Sequence, residues 1–69
     1  MTRHWYINVD GHPLYYGEGD LPSDTLDAVV TRIIRDNQSA VVEFGYEECS
    51  DFQQYIIEDG DVIMKRSVK

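Results

Sequence analysis

Asp-Gly occurs twice in this 69-residue chain, at 10–11 and at 59–60, and each pair sits between two runs of strand-like residues. Asp and Gly both accept positive φ, which the tight two-residue turn joining antiparallel strands demands. A chain with such a turn near each end must be built from two hairpins. Whatever lies between them has to complete the same sheet or cover it.

Around the first turn, Trp5, Ile7 and Val9 alternate with His4, Tyr6 and Asn8, the period of a half-buried strand. A regular two-residue register sets Val9 against His12, Ile7 against Leu14 and Trp5 against Tyr16 on the core face. Tyr6 then meets Tyr15 on the outer face. Pro13 has no N–H for a ladder, so the second strand is expected at a sheet edge or only beyond the proline. Around the second turn the same logic sets Ile57 against Val62 and Tyr55 against Met64 on the core face. Ile56 then meets Ile63, and Glu58 meets Asp61, on the other.

Between the hairpins the period changes. Leu26, Val29, Val30, Ile33 and Ile34 fall at i, i+3, i+4, i+7 and i+8, one apolar stripe of a helix. Pro22 marks its start, Ser23 or Asp24 is the expected N-cap, and Asn37 suits the left-handed residue that ends it. Asp24 and Asp27 lie near the positive end of the helix dipole, Arg32 and Arg35 near the negative end. So many β-branched residues make a poor isolated helix, so it must lean on a sheet. Ala40, Val42, Phe44 and Tyr46 then alternate with Val41, Glu43, Gly45 and Glu47 as a further strand. The order is ββαβββ: a single α+β domain over 1–69, two layers, with one helix packed on one face of an antiparallel sheet.

A chain this short buries only about 60% of its unfolded surface and leaves little room for a deep pocket. Hydrophobic residues at 42% argue against disorder, and no apolar run approaches the roughly 20 residues needed to span a bilayer. The lone Cys49 makes no internal disulfide and fits a reducing, cytoplasmic setting.

No residue set points to catalysis. His4 and His12 fall on opposite hairpin faces and lack a zinc-type third ligand. Asp59-Gly60-Asp61 is too short for a calcium loop. The neighbours of Cys49, namely Glu47, Glu48 and Asp51, disfavour its thiolate. Gly17-Glu18-Gly19-Asp20 is too acidic to cradle phosphate. The acids all fall on turns, loops or outer faces rather than in a buried cleft, where catalytic pairs of carboxylates sit. The expectation is therefore a non-enzyme with no metal and no cofactor.

The distribution of charge carries more. The net charge is −7, and from Asp36 to Met64 there is no Lys or Arg. Such a chain repels nucleic acid and anionic membranes, whose binding needs basic residues. The acids Glu43, Glu47, Glu48, Asp51, Glu58, Asp59 and Asp61, with Tyr6 and Tyr15 as aromatic anchors, form the expected partner-binding set. Tyr46, Phe52 and Tyr55 are further aromatic candidates. The partner expected is a basic protein surface, such as that of a nucleic-acid-binding protein. Outward carboxylates along one strand are about 6.6 Å apart, too sparse to copy a phosphate line. Several loops would have to converge: residues 47–51, residues 58–61, and Glu18 with Asp20. In size and charge alone the chain resembles the small acidic proteins with which phages and mobile elements block host nucleases and defence machinery. Two other uses of the same features are a homo-oligomer built through a sheet edge or the tyrosines, and an acidic rim that only maintains solubility.

Overall fold

The computed structural model describes residues 2–69. It contains β1 (His4–Val9), β2 (His12–Glu18), α1 (Ser23–Arg35), β3 (Ala40–Tyr46), β4 (Phe52–Glu58) and β5 (Asp61–Val68). The five strands form one antiparallel sheet in the order β2-β1-β3-β4-β5. α1 covers one face, giving the two-layer α+β arrangement that the periodicities predict.

Both Asp-Gly turns form as expected, with positive φ at both central residues: 52° and 80° at Asp10 and Gly11, 50° and 80° at Asp59 and Gly60. Each turn is pinned to the middle of the fold. Asp10 donates its N–H to Val41 O (2.9 Å) and accepts from Val41 N on its carboxylate (2.9 Å). Asp59 N donates to Ser39 Oγ (3.0 Å) and Gly60 N to Gln38 O (3.1 Å). A side chain at position 60 would meet Ile34 O at 2.9 Å, so glycine lets this turn close against the end of α1.

Beyond the turns the registers depart from the regular ladder, and both depart in the same way. Val9 faces His12 and Asn8 faces Pro13, but Ile7 then faces Tyr15, so Leu14 is an extra residue. Glu58 faces Asp61 and Ile57 faces Val62, as expected, but Ile56 then faces Met64, so Ile63 is extra. Each hairpin thus carries a β-bulge three residues after its glycine. A bulge shifts all later pairs by one residue and turns two successive side chains toward one face. In β2 the missing N–H of Pro13 weakens the ladder just where the shift begins. The expected pairs Tyr6/Tyr15, Ile7/Leu14, Trp5/Tyr16, Tyr55/Met64 and Ile56/Ile63 are therefore not formed. Tyr6 faces Tyr16, Trp5 faces Gly17 and Tyr55 faces Lys65.

The core lies between α1 and the sheet: Leu26, Val29 and Ile33 of the helix, and Ile7, Ala40, Val42 and Ile57 of the strands. Among the described residues no polar or charged side chain is buried. Neither Ser23 nor Asp24 is the N-cap; Pro22 occupies that position without a side-chain cap, because Ser23 is already helical. The C-terminus closes as expected. Asn37 adopts φ 53°, Gln38 N donates to Ile33 O (3.0 Å) and Asn37 N to Ile34 O (3.0 Å), a Schellman motif.

Candidate functional site

Because one helix covers one face, the other face of the sheet has no second layer. Cross-strand partners share a face, so the pairings assign its members. They are His4, Tyr6 and Asn8 of β1, Pro13, Tyr16 and Glu18 of β2, Val41, Glu43 and Gly45 of β3, Phe52, Gln54, Ile56 and Glu58 of β4, and Asp61, Met64, Arg66 and Val68 of β5. Tyr16 is the most exposed large hydrophobic residue at 80%, and Met64 is also exposed; Tyr6, Phe52 and Ile56 are half-buried.

A polar relay crosses the middle of this face. Arg66 Nε donates to Gln54 Oε1 (2.6 Å), and Gln54 Nε2 donates to Glu43 Oε2 (3.2 Å). Burial raises the pKa of Tyr6, and the carboxylates of Glu43 and Glu47 raise it further, so its hydroxyl stays protonated and able to donate.

The expected partner-binding residues are divided. Glu47, Glu48 and Asp51 lie at the end of the sheet where β3 passes into β4, close to Glu18, the last residue of β2, and to Asp20 just beyond it. Glu58, Asp59 and Asp61 lie at the opposite end, one length of β4 away, about 23 Å for seven residues. Glu43 sits between them. The convergence expected of residues 47–51 with 58–61 does not occur; the former share their end of the sheet with Glu18 and Asp20, the latter share the opposite end with Asp10. Tyr6 is on the open face, but the bulge turns Tyr15 to the helix side. Of the other aromatic candidates, Phe52 is on the open face. Tyr46 and Tyr55 are spent internally: the Tyr46 hydroxyl accepts Leu21 N–H (2.9 Å) beneath the Arg3 guanidinium (3.9 Å), and Tyr55 packs edge-on against Phe44 (5.0 Å between centroids). Tyr16, which a regular register hides against Trp5, is the aromatic residue that sequence reasoning misses. The signal was Pro13, whose presence inside a strand invites a bulge.

One cluster joins residues 44 apart in sequence. Glu48 clamps His4 with both oxygens: Oε1 accepts the His4 backbone N–H (2.7 Å), and Oε2 lies 2.7 Å from Nδ1. Glu18 Oε1 stands 3.9 Å from Nε2. The hydrogen bond to Glu48 is the main reason the His4 pKa is raised above 6.5. The His4 backbone N–H is the main reason the Glu48 pKa is lowered below 4.5. Donor atoms of His4, Glu47 and Glu48 lie within 4.8 Å of one another. Both Glu48 oxygens are already engaged, so the group acts as an ion-pair clamp between the start of β1 and the β3–β4 loop. Cys49 is exposed in that loop, its N–H bonded to Tyr46 O (3.0 Å).

No protein-family model, curated protein or solved structure matches this chain. Among the described residues no helix is long and apolar enough to cross a membrane.

Proposed function

We propose that this chain is a protein-binding module whose open sheet face docks on a basic protein surface, in the cytoplasm, without catalysis. The observation that carries the reading is the union of aromatics with surplus acid on one uncovered face: the exposed Tyr16 and the half-buried Tyr6 and Phe52 lie among Glu18 and Glu43, with the Glu47 carboxylate close enough to act on the Tyr6 hydroxyl. Glu58 and Asp61 close its far end. Aromatic anchors in a charged surround suit an interface in which burial gives affinity and charge gives rate and register. The basic surface we favour is one that otherwise holds nucleic acid. The acids are too widely spaced to imitate a phosphate line, so the module would work as an inhibitor by covering that surface.

The test is affinity capture from host lysate at low and high salt, with the same chain carrying Tyr16→Ser and Phe52→Ser, or Glu18→Gln and Glu43→Gln. Loss of an aromatic anchor is expected to weaken capture roughly thirtyfold, corresponding to about 2 kcal/mol. The charge variants should weaken it mainly at low salt. A captured partner held equally well by both variants would refute the open face as the docking surface, and a nucleic-acid oligomer should compete with the module for the partner.

A second reading is self-association of the same face. Arg66 on the β5 edge and Glu18 on the β2 edge lie toward the same end of the sheet, since β5 ends beside Phe52, β2 ends beside His4, and both lie at the Tyr46 end of β3. A two-fold axis along the strands would lay each Arg66 over the partner copy's Glu18 edge. Sedimentation equilibrium separates the two readings, a concentration-dependent dimer favouring this one.

A further inference from the structure

The end of the sheet where β1 begins holds more donor atoms than its ion pair uses. His4 is flanked on the open face by Glu18, its partner across β1 and β2, and by Glu47 on the side of β3. Glu47 extends the β1–β3 ladder by one step, its N–H bonded to His4 O (2.8 Å). Glu48 follows it in the β3–β4 loop and brings Oε2 to 2.7 Å from His4 Nδ1. One donor atom each from His4, Glu47 and Glu48 lies within 4.8 Å of the other two. The segments that supply them are more than 40 residues apart, so no ligand spacing is readable along the chain. The Glu47 carboxylate is exposed and accepts no hydrogen bond among the described residues.

We propose that His4 Nδ1, Glu47 and Glu48 bind a divalent transition-metal ion, Zn²⁺ fitting them best, with Glu18 steadying the far side of the imidazole ring.

The donor set and its surroundings support this occupant. An imidazole nitrogen with two carboxylates suits Zn²⁺, whereas Mg²⁺ and Ca²⁺ take oxygen ligands. Ligands on a tetrahedral Zn²⁺ stand about 3.3 Å apart, so Nδ1 and Oε2 need only separate slightly and Glu47 close in. His4 and Glu48 are 44% and 46% exposed, which leaves both side chains room to do so. The ion takes the place of the Nδ1 proton in the existing clamp, and one proton goes to solvent for each ion bound. Two outer contacts are already in position. Glu48 Oε1 accepts the His4 backbone N–H (2.7 Å), and Glu18 Oε1 stands 3.9 Å from Nε2, where it can take the Nε2 proton in a hydrogen bond. Such outer partners orient the ligands and raise their basicity. Charge favours a dication as well. Three carboxylates face one imidazole, and Arg3, which pairs with Asp20 (3.2 Å) over the Tyr46 ring, is engaged elsewhere. The inference does not rest on the docking reading, and its test needs no partner.

The probe is ZnCl₂ titrated calorimetrically into the full chain in a non-chelating buffer, above the pH at which His4 gives up its ring proton. One ion per chain is expected. Glu18→Gln should weaken it about tenfold, as loss of an outer partner does, and His4→Gln, Glu47→Gln and Glu48→Gln should each weaken it further. Glu47→Gln alters an exposed side chain without a hydrogen bond, so the fold is kept even where the other variants loosen the clamp. Cys49→Ser and His12→Gln should bind as the unaltered chain does. The His4 ring resonances should shift on adding Zn²⁺ while those of His12 stay in place. Zn²⁺ at about 100 times its Kd should also raise the melting temperature by roughly 10 °C, and Mg²⁺ at the same concentration by far less. No binding by the unaltered chain, affinity kept in Glu47→Gln or His4→Gln, or affinity lost in Cys49→Ser would each overturn the proposal.

Discussion

His4 and Glu48 tie the first strand to the β3–β4 loop through two contacts of 2.7 Å, and that tie depends on charge. The sign follows from the two shifts. The pKa of His4 is raised above its ordinary 6.5, so the stability it contributes is fully present below 6.5 and is lost as pH rises through the raised value. That of Glu48 is lowered below its ordinary 4.5, so its contribution is present above 4.5 and is lost as pH falls through the lowered value. Both apply in full between those two ordinary values, and this is where the clamp is tightest. The His4 ring resonances followed by NMR should titrate above pH 6.5. In Glu48→Gln, which keeps an oxygen for the His4 N–H but offers no charge to Nδ1, the midpoint should return toward 6.5. An unchanged midpoint in that variant would mean that Glu18 and Glu47, rather than Glu48, hold the imidazolium.

The elements differ in how far they support themselves. α1 has 13 residues, a length at which isolated helices are marginal, and it lacks a side-chain N-cap, so Leu26, Val29 and Ile33 must hold it. Ile33→Ala should cost about 2 to 5 kcal/mol, comparable to the whole stability of so small a domain, and should leave the chain largely unfolded by far-UV circular dichroism. Ile34→Ala, one residue along and 37% exposed, should leave it folded. If both variants melted alike, the helix would not be anchored by this stripe. The helix stripe, the Asn37 C-cap and both Asp-Gly turns are legible in the sequence because each depends on a local preference: an apolar period, or tolerance of positive φ. The bulges are not legible in the alternation, because an extra residue leaves it intact on each side and shifts only its phase; Pro13 signals the first, and nothing comparable signals the second. For Tyr15 and Tyr16 that phase decides everything, exchanging which faces the helix and which the open side. The division of the acids was implicit in the strand lengths. An acidic window that contains the whole of β4 must put its two flanks at opposite ends of the sheet.

At the scale of the molecule, a charge of −7 is gathered toward two poles. Glu18, Asp20, Glu47, Glu48 and Asp51 at one pole are tempered by Arg3, which reaches Asp20 at 3.2 Å, and by His4. At the other, Asp10, Glu58, Asp59 and Asp61 make no ion pair among the described residues, although the Asp59-Gly60 turn closes against the end of α1 that carries Arg35, and Glu58 directly faces Asp61 across the ladder. The poles are about 23 Å apart, more than two screening lengths at 0.1 M salt, so each repels mainly within itself under such conditions. Like charges opposed on a ladder destabilise by a few tenths of a kcal/mol or more, and the uncompensated pole should therefore limit stability at low salt. Raising NaCl from about 10 mM to about 300 mM is expected to raise the melting temperature by several degrees, because a shift of 1 kcal/mol moves a domain of this size by roughly 4–8 °C. Glu58→Gln should reproduce part of that gain at low salt and little of it at high salt, where the repulsion is already screened. A melting temperature that falls with salt would mean that attractive pairs such as Arg3–Asp20 outweigh the repulsion. A basic partner bound to the open face would stabilise the fold as salt does, since it supplies the cations that the poles lack and adds its own binding energy.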